Sequence, residues 1–262
     1  MSQSTAVGLP TLNGSGAPAL RIRSLSKVFG HGATRTVALD GVDLDVAPGE
    51  FVTIVGASGC GKSTLLSLVA NLDQPTSGTI ETNGNVALMF QDATLLPWLT
   101  ASRNVDLALR LRGVPRPERA ERVAELLELV RLTQYGDKRP HELSGGMKQR
   151  VALARVLAQD ASIVLMDEPL GALDAMTRDR MHDEIERIWS TVGLTVLFVT
   201  HNVREAVRLG DRVVLMSSSP GRIKLEERIS LPRPRLIDSP EIAGHAASLT
   251  EALREEVSAH VR

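Results

Sequence analysis

Short, continuous apolar segments alternate along the chain with segments of helical periodicity. The apolar segments are FVTIVG at 51–56, IVLMD at 163–167, TVLFVT at 195–200 and RVVLM at 212–216. They are rich in β-branched residues and do not alternate with polar positions, which is typical of strands buried on both faces of a parallel sheet. Because helical patterns lie between them, the sequence predicts an α/β fold.

A mostly helical stretch from about residue 92 to 158 interrupts this alternation. One helix face is marked there by apolar residues at the spacing i, i+3, i+4 and i+7, namely Val123, Leu126, Leu127 and Val130. Pro115 and Pro117 suit the beginning of that helix. We therefore expect an α-helical subdomain inserted into the α/β core.

The two ends of the chain have patterns of their own. Residues 21–46 and 222–229 have a β-like composition, and Pro220-Gly221 predicts a turn before the second of them. Ser239-Pro240-Glu241 predicts the start of a helix. Its apolar residues follow at four-residue spacing, at Leu249, Leu253 and Val257. The first 20 residues are rich in Gly, Ser, Thr, Ala and Pro, which predicts a disordered tail over 1–20.

Charge and cysteine content narrow the possible function classes. The chain has 30 Lys and Arg against 31 Asp and Glu, so it lacks the strongly basic character of most nucleic-acid-binding proteins. The single cysteine, Cys60, excludes an internal disulfide and suits a reducing cytosol. No stretch approaches the roughly 18–20 apolar residues that span a bilayer. We expect a soluble protein with no nucleic-acid partner, which can still dock on a membrane protein.

A phosphate-binding loop is predicted directly after the first buried strand. The segment GASGCGKST fits the pattern G-x-x-x-x-G-K-[ST] and opens the helical segment STLLSLVANL. Backbone N–H groups in such a loop, together with the helix N-terminus, form a concave anion site. The expected phosphate-binding residues are Gly56, Ala57, Ser58, Gly59, Cys60, Gly61, Lys62, Ser63 and Thr64.

Two residues of this loop have specific expected contacts. Lys62 should reach the β- and γ-phosphates, and the Ser63 hydroxyl should bind Mg²⁺. The alternative is a glycine-rich turn with a solvated lysine. Cys60 is expected to be a small packed side chain, with a redox role as its alternative.

Two carboxylates end the apolar run IVLMDEP. We expect Asp167 to hold Mg²⁺ and Glu168 to polarise the attacking water near the γ-phosphate. Taken alone, two acids at a strand end also fit a turn or a helix cap. His201 follows the next apolar run, at a position where ligands bind in α/β sheets, and is expected to contact the γ-phosphate. The alternative is a structural or surface histidine, which is the usual role of a lone histidine. Gln91, in LMFQDATLLPW, can touch both Mg²⁺ and water, or lie in a surface loop.

The segment LSGGMKQR at 143–150 predicts a second anion site without a lysine. Ser144 is a good N-cap for a helix that starts near Gly145, and an ordinary capped helix is the simpler interpretation. However, Gly145 and Gly146 would leave N–H groups exposed at the positive end of the helix dipole.

With this segment, the chain resembles the ATP-binding cassette family, because LSGGMKQR is similar to its signature motif and the other motifs occur in the family's order over about 21–235. The resemblance implies a P-loop NTPase core with a RecA-like parallel sheet, an N-terminal antiparallel β subdomain and an inserted α-helical subdomain. It also implies ATP and Mg²⁺ as cofactors, ATPase activity, and a head-to-tail dimer with a second copy of the chain. The C-terminal residues 236–262 would form a helical tail.

Particular residues acquire roles from this resemblance. Ser144, Gly145 and Gly146 would contact the γ-phosphate bound by the partner subunit, and Asp174, in GALDA, would lie in the loop that crosses the interface. Phe29, in SKVFGHG, matches the aromatic that stacks on adenine, with ordinary core or strand packing as the alternative. The chain departs from the usual family pattern at Met147, Gly171 and Asn202.

The segments FQDATLLPWLTASRNV, SSSPGRI and LPRPR resemble those of nitrate, sulfonate and taurine importers. This implies transmembrane permease subunits as partners, an extracytoplasmic solute-binding protein as an indirect one, and a place on the cytoplasmic face of the inner membrane. The apolar cluster Leu95, Leu96, Pro97 and Trp98 would face the permease, or be buried against the chain's own helices. The alternatives are a non-importing cassette ATPase, for lipid or lipoprotein export or in a division complex, and a ribosome-associated cassette protein.

Overall fold

The computed structural model describes residues 16–30, 34–218 and 220–260, with the side chains of 257–260 excepted. Most of the predicted tail, residues 1–15, lies outside them. The described strands are β1 (Leu20–Phe29), β2 (Thr36–Val46), β3 (Phe51–Gly56), β4 (Ser77–Thr82), β5 (Val86–Met89), β6 (Ile163–Asp167), β7 (Thr195–Val199), β8 (Arg212–Met216) and β9 (Ile223–Arg228). The α-helices are α1 (Lys62–Val69), α2 (Ala101–Leu111), α3 (Arg116–Leu129), α4 (Gly145–Leu157), α5 (Ala175–Val192), α6 (Val203–Leu209) and α7 (Pro240–His260).

A six-stranded sheet forms the centre of the molecule, in the order β5-β6-β7-β3-β8-β9. Its first five strands are parallel, and β9 is antiparallel at one edge. The four apolar runs of the sequence are β3, β6, β7 and β8, and every residue of β3 and β7 is buried. The predicted α/β class is confirmed. β7 ends at Val199, one residue before the predicted boundary, where the Thr200 hydroxyl accepts the N–H of Asn202 and the chain turns.

A second sheet is antiparallel and has the order β2-β1-β4. Strands β1 and β2 account for the β-like composition of the N-terminal region. The sequence did not predict β4, because its residues are almost all exposed and carry no apolar pattern. This sheet packs its buried side chains, among them Leu20, Ile22 and Leu44, into the same apolar cluster as α1 and one face of the central sheet.

Three helices, α2 to α4, lie between β5 and β6 in the chain. Val123, Leu126 and Leu127 are the buried residues of α3, as their spacing predicted, and Val130 is buried at its C-cap. Pro115 is the N-cap of α3 and Pro117 stands in its first turn. The helices share one apolar cluster with α5 and the opposite face of the central sheet, which fixes them against the strand ends.

The C-terminal part packs on the β8–β9 edge. Helix α7 begins after Ser239, whose hydroxyl accepts the N–H of Ile242, and Leu249 is fully buried against α6 and β8. Leu253 packs against the same cluster, whereas the side chain of Val257 lies outside the described residues. Among the residues that the structure describes, no helix has the length and apolar character needed to cross a membrane.

Candidate functional site

The predicted phosphate loop connects the C-terminal end of β3 to the N-terminus of α1. Lys62 is the first residue of α1 and only 6% exposed, and its Nζ donates to the carbonyl oxygens of Gly56 at 2.9 Å and Ala57 at 3.0 Å. Gly61 has φ +95°, and a Cβ there would lie 2.8 Å from the oxygen of Ala38. Only glycine tolerates both this positive φ and the lack of space for a Cβ, so the glycine of the motif at 61 is required for steric reasons.

The Cys60 side chain is packed, as the sequence predicted. It is fully buried, and a Cβ at Gly56 would lie 2.6 Å from its Sγ, so the thiol packs against the backbone of Gly56. Burial raises the pKa of the thiol. A protonated, inaccessible thiol is a poor nucleophile, which argues against a redox role.

Ser63 and Asp167 meet where α1 passes the end of β6. Partial burial raises the pKa of Asp167, and hydrogen bonding by the Ser63 hydroxyl opposes that rise. A desolvated carboxylate next to a hydroxyl supplies the hard oxygen ligands that Mg²⁺ prefers. The oxygen ligands that Ser63 and Asp167 supply here therefore fit a magnesium ion.

Glu168 and His201 lie at the ends of the adjacent parallel strands β6 and β7. Glu168 Oε2 is 2.9 Å from His201 Nδ1, and the Glu168 backbone has φ +45°, with its N–H donating to the oxygen of Val199 at 3.0 Å. A non-glycine residue in this conformation is uncommon and concentrates at functional sites. Asn202, one of the departures from the family pattern, caps α6 by accepting the N–H groups of Arg204 and Glu205.

Gln91 lies beside the loop that follows Glu168. Its backbone oxygen accepts from Gln149 Nε2 at 2.7 Å, which fixes the start of the segment after β5. A Cβ built on Gly171 would lie 3.1 Å from Gln91 Nε2. A larger residue at 171 would thus require a small shift of the Gln91 amide.

The signature segment forms a capped helix start, as predicted. Ser144 is the N-cap of α4 and its hydroxyl accepts the N–H of Met147 at 3.3 Å. Gly146 is buried, and a Cβ there would lie 2.6 Å from Cγ2 of Thr177 in α5. The sequence analysis missed this packing requirement, because nothing in the local motif indicates which residue lies opposite the glycine.

Asp174 caps the neighbouring helix α5. Its carboxylate accepts the N–H of Thr177 at 3.0 Å, and hydrogen bonds from Thr177 lower the pKa of Asp174. Within one chain, the described residues show no hydrogen bond or ion pair between Ser144, Gly145 or Gly146 and the phosphate loop at 56–64. A Cβ on Gly145 would lie 3.1 Å from Cδ2 of Leu173, so the signature segment lies against the loop that carries Asp174.

Two further predicted residues or clusters have partly exposed positions. Phe29, at the end of β1, is 43% exposed with Lys27 Nζ 4.9 Å from the ring centroid, so it is not a core residue. Leu95 packs against the core, whereas Trp98 is 67% exposed, so the apolar cluster is divided between the two alternatives.

The segment containing Trp98 is held by two side chains that the sequence analysis missed. Asn104 is fully buried, and its Oδ1 accepts the N–H of Leu96 while its Nδ2 donates to nearby carbonyls. Arg155 donates to the carbonyl oxygens of Ala93 and Thr94. A cleft of about 490 Å³ lies next to this segment, with Leu107, Leu111 and Arg155 among its lining residues.

A family model described as ABC transporter matches residues 39–171, a range that includes the phosphate loop, the signature segment and both strand-end carboxylates. The chain belongs to the ABC transporter family. ATP-binding cassettes of this family are ATPases, so the chain binds and hydrolyses ATP.

Similar proteins share the cassette over most of its length. The chain is 45% identical to the nitrate import ATP-binding protein NrtD of Synechocystis, covering 81% of this chain and 83% of that protein. It is 46% identical to the aliphatic sulfonates import ATP-binding protein SsuB of Rhodopseudomonas palustris, covering 90% and 83%. It is also 44% identical to an uncharacterized ABC transporter ATP-binding protein of Methanocaldococcus jannaschii, covering 91% and 92%.

The fold is that of solved ATP-binding cassettes. A dimeric cassette in a post-hydrolysis state, bound to ADP and phosphate, superposes with a TM-score of 0.71 at 32% identity, covering 81% of this chain and all of that one. A cassette from a Clostridium perfringens transporter complex has a TM-score of 0.73 at 26% identity, covering 81% and 89%. The predicted P-loop NTPase core is thereby confirmed.

Proposed function

We propose that this ATPase drives the uptake of a small oxyanion, of the nitrate, aliphatic sulfonate or taurine type, through a separate permease. The observation that carries the catalytic part is the meeting of Lys62, Ser63, Asp167, Glu168 and His201 at one edge of the central sheet. The importer names of the similar proteins support import over lipid or lipoprotein export or a division complex.

In this proposal each of these side chains has a task at the phosphate site. Backbone N–H groups of Gly56 to Thr64 surround the phosphates, and Lys62 exchanges its carbonyl partners for phosphate oxygens. Ser63, Gln91 and Asp167 would hold Mg²⁺, which neutralises charge on the phosphates when it is bound. Glu168 accepts a hydrogen bond from the attacking water, and His201 donates to the γ-phosphate.

A second copy of the chain completes the site. Ser144, Gly145 and Gly146 contact the γ-phosphate of the partner subunit through N–H groups at the start of α4, and Asp174 lies in the loop between the subunits. Phe29 stacks on adenine, which its exposure allows. The dimeric state of the similar cassette with ADP and phosphate supports this arrangement.

The cleft lined by Leu96, in the same segment as the exposed Trp98, supports a docking site for a transporter partner. The permease subunits dock there, with the solute-binding protein on the far side of the membrane, so that the chain works at the cytoplasmic face of the inner membrane. A nucleic-acid partner is not expected from the balanced charge. In this assignment residues 21–235 form the ATP-binding domain, about 92–158 its helical subdomain, and 236–262 a helical tail.

Uptake measurements in the host organism test the proposal. Deletion of the gene should abolish uptake of one labelled solute among nitrate, taurine and an alkanesulfonate. The wild-type chain should restore uptake, and so should the exposed control Glu255→Gln, whereas Glu168→Gln should not. Unchanged uptake of all three solutes after deletion, or restoration by Glu168→Gln, would contradict it.

A further inference from the structure

A series of hydrogen-bonded, buried polar groups extends from the middle of α5 to the loop that carries His201. Nε2 of His182 in α5 lies 2.6 Å from Oε1 of Glu205 in α6. The other carboxylate oxygen of Glu205 accepts the hydroxyl hydrogen of Thr200. The Thr200 oxygen in turn accepts the N–H of Asn202 at 3.0 Å, so that hydrogen bonds bracket His201 on both sides.

Burial of these polar groups has a cost in free energy. His182 is 0% exposed, Thr200 2% and Glu205 4%, and buried polar groups are unfavourable unless all their hydrogen bonds are satisfied. Nδ1 of His182 has no hydrogen-bond partner among the described residues, and its nearest carboxylate oxygen, Oδ1 of Asp179, is 3.6 Å away. Apolar side chains could join α5 to α6 without this penalty, so stability alone does not account for these residues.

The imidazole of His201 depends on its backbone for its position. Its side chain is 67% exposed, and among the described residues its one hydrogen-bond partner is Glu168, at 2.9 Å. With so few contacts of its own, the ring is directed mainly by the conformation of residues 200–202. The Thr200 hydroxyl fixes that conformation because it binds the N–H of Asn202 and the carboxylate of Glu205 together.

We propose that Glu205, oriented by His182, is a positioning residue that holds the Thr200–Asn202 loop so that His201 meets Glu168 and the γ-phosphate. This inference rests on the proposed catalytic role of His201. Because Glu205 and His182 are both buried, we expect them to act through the backbone of the loop and not by contact with the nucleotide.

The same series of polar groups connects His201 to the subunit interface of the proposed dimer. Helix α5 begins next to Asp174, and its Thr177 packs against Gly146 of the signature segment. His182 lies about 8 Å beyond Thr177 along the same helix, given the helical rise of about 1.5 Å per residue. Contacts through His182 and Glu205 therefore connect α5, which packs on the signature segment, to the loop of His201.

The experiment measures kcat, KM for ATP and nucleotide affinity of the full-length chain. Glu205→Met and Thr200→Val keep side-chain size but remove the hydrogen bonds, so kcat should fall about tenfold to a hundredfold, as expected for a displacement of about 1 Å. KM and affinity should stay within about twofold. Thr200→Ser retains the hydroxyl and should retain kcat. Asp183→Asn breaks the neighbouring α5–α6 ion pair with Arg208 without touching Thr200, and should also retain kcat.

A double variant separates positioning from a general structural effect. If Glu205 acts through His201, then His201→Ala combined with Glu205→Met should be no slower than His201→Ala alone. The NMR signal of the His201 ring should shift in Glu205→Met and not in Asp183→Asn. Where Glu205→Met does not fold, the Thr200→Val and Thr200→Ser pair decides.

Three outcomes would overturn the inference. The first is a full kcat in Glu205→Met or Thr200→Val. The second is a kcat of the double variant well below that of His201→Ala alone. The third is a loss of kcat in Asp183→Asn as large as that in Glu205→Met. Full activity of His201→Ala would instead reject the proposed role of His201, and the positioning inference with it. The kcat of His201→Ala alone therefore tells a failure of the positioning inference from a failure of the proposed role of His201.

Discussion

Oε2 of Glu168 and Nδ1 of His201 lie 2.9 Å apart although 33 positions separate them in the chain. The contact arises because β6 and β7 are neighbouring parallel strands whose C-terminal ends reach the same edge of the sheet. Each side chain is the first or second residue after its strand. Two polar groups at this edge are thus aligned by the register of buried apolar strands, and the apolar core determines the geometry of the exposed pair.

Replacement of Glu168 by Gln should nearly abolish ATP hydrolysis and leave ATP binding intact, so that an ATP-bound dimer accumulates. The amide keeps the size of the side chain but is a weak acceptor for the hydrogen bond of the attacking water. Phosphate release and size-exclusion chromatography with ATP measure the two effects. Glu255→Gln, on the exposed face of α7, is the matched control. Brisk turnover in Glu168→Gln would count against its catalytic role.

Replacement of Lys62 by Ala should weaken ATP binding by about tenfold to a hundredfold, the usual worth of a charge-assisted hydrogen bond. The ammonium group already lies inside the loop, bonded to the carbonyls of Gly56 and Ala57, so little reorganisation is needed to reach phosphate. Titration calorimetry measures the affinity. Lys138→Ala, at an exposed ion pair with Glu142, serves as the control. Unchanged affinity in Lys62→Ala would reject the phosphate contact.

The central strands and the residues at their ends could be predicted from the sequence, because both signals are local. A continuous apolar run identifies β6 or β7, and the residues that follow, Asp167, Glu168 and His201, must then lie at one edge of a parallel sheet. By contrast, β4 is exposed, and its residues carry no periodic signal. Pairing with β1 forms this strand, and pairing is a property of the folded chain.

Contacts between distant segments could not be predicted either. Gly146 fits an exposed anion site in the local motif, and only the position of Thr177 in the fold reveals that this glycine also allows a close helix packing. The buried pair of His182 and Glu205 joins two helices that no motif relates. Such residues have ordinary sequence surroundings, and their roles depend on which segments the fold brings together.

Replacement of Ser144 by Arg should prevent dimer closure and leave ATP binding to the monomer unchanged. The large side chain would occupy the space in front of α4 where the partner's γ-phosphate is proposed to lie. Chromatography in the Glu168→Gln background with ATP detects the dimer. Ser144→Asp keeps an N-cap but adds a negative charge, and should also prevent closure; Ser190→Arg, exposed on α5, should not. A dimer that persists in Ser144→Arg would contradict the arrangement between subunits.

Replacement of Gly146 by Ala should destabilise the chain by about 1–3 kcal/mol, the usual cost of overpacking. The new Cβ would lie 2.6 Å from Cγ2 of Thr177 and force α4 and α5 apart. Thr177→Ser removes this methyl group and keeps the backbone N–H that binds Asp174. Urea denaturation of the double variant should therefore recover most of the loss. Additive destabilisation by the two changes would show that the contact is not the cause.

The capping carboxylate of Asp174 should make stability depend on pH in a predictable direction. Its pKa is lowered below 3.8 in the folded chain by hydrogen bonds from Thr177, so the ionised form stabilises the fold. This contribution is fully present above the unfolded-state value and is lost as the pH falls through the folded-state pKa. Ser at this position caps the helix without a charge.

The comparison is therefore between the wild-type chain and Asp174→Ser, by urea denaturation without nucleotide from neutral pH to about pH 3. The wild-type chain should be the more stable at neutral pH, because the charge at Asp174 favours the N-terminus of α5. The difference should shrink below pH 3.8, the ordinary value of this carboxyl, as Asp174 takes up a proton. Ser144→Ala removes a cap that does not titrate, so its own effect should not vary over this range. A pH-independent difference for Asp174→Ser would show that the carboxylate charge does not stabilise α5.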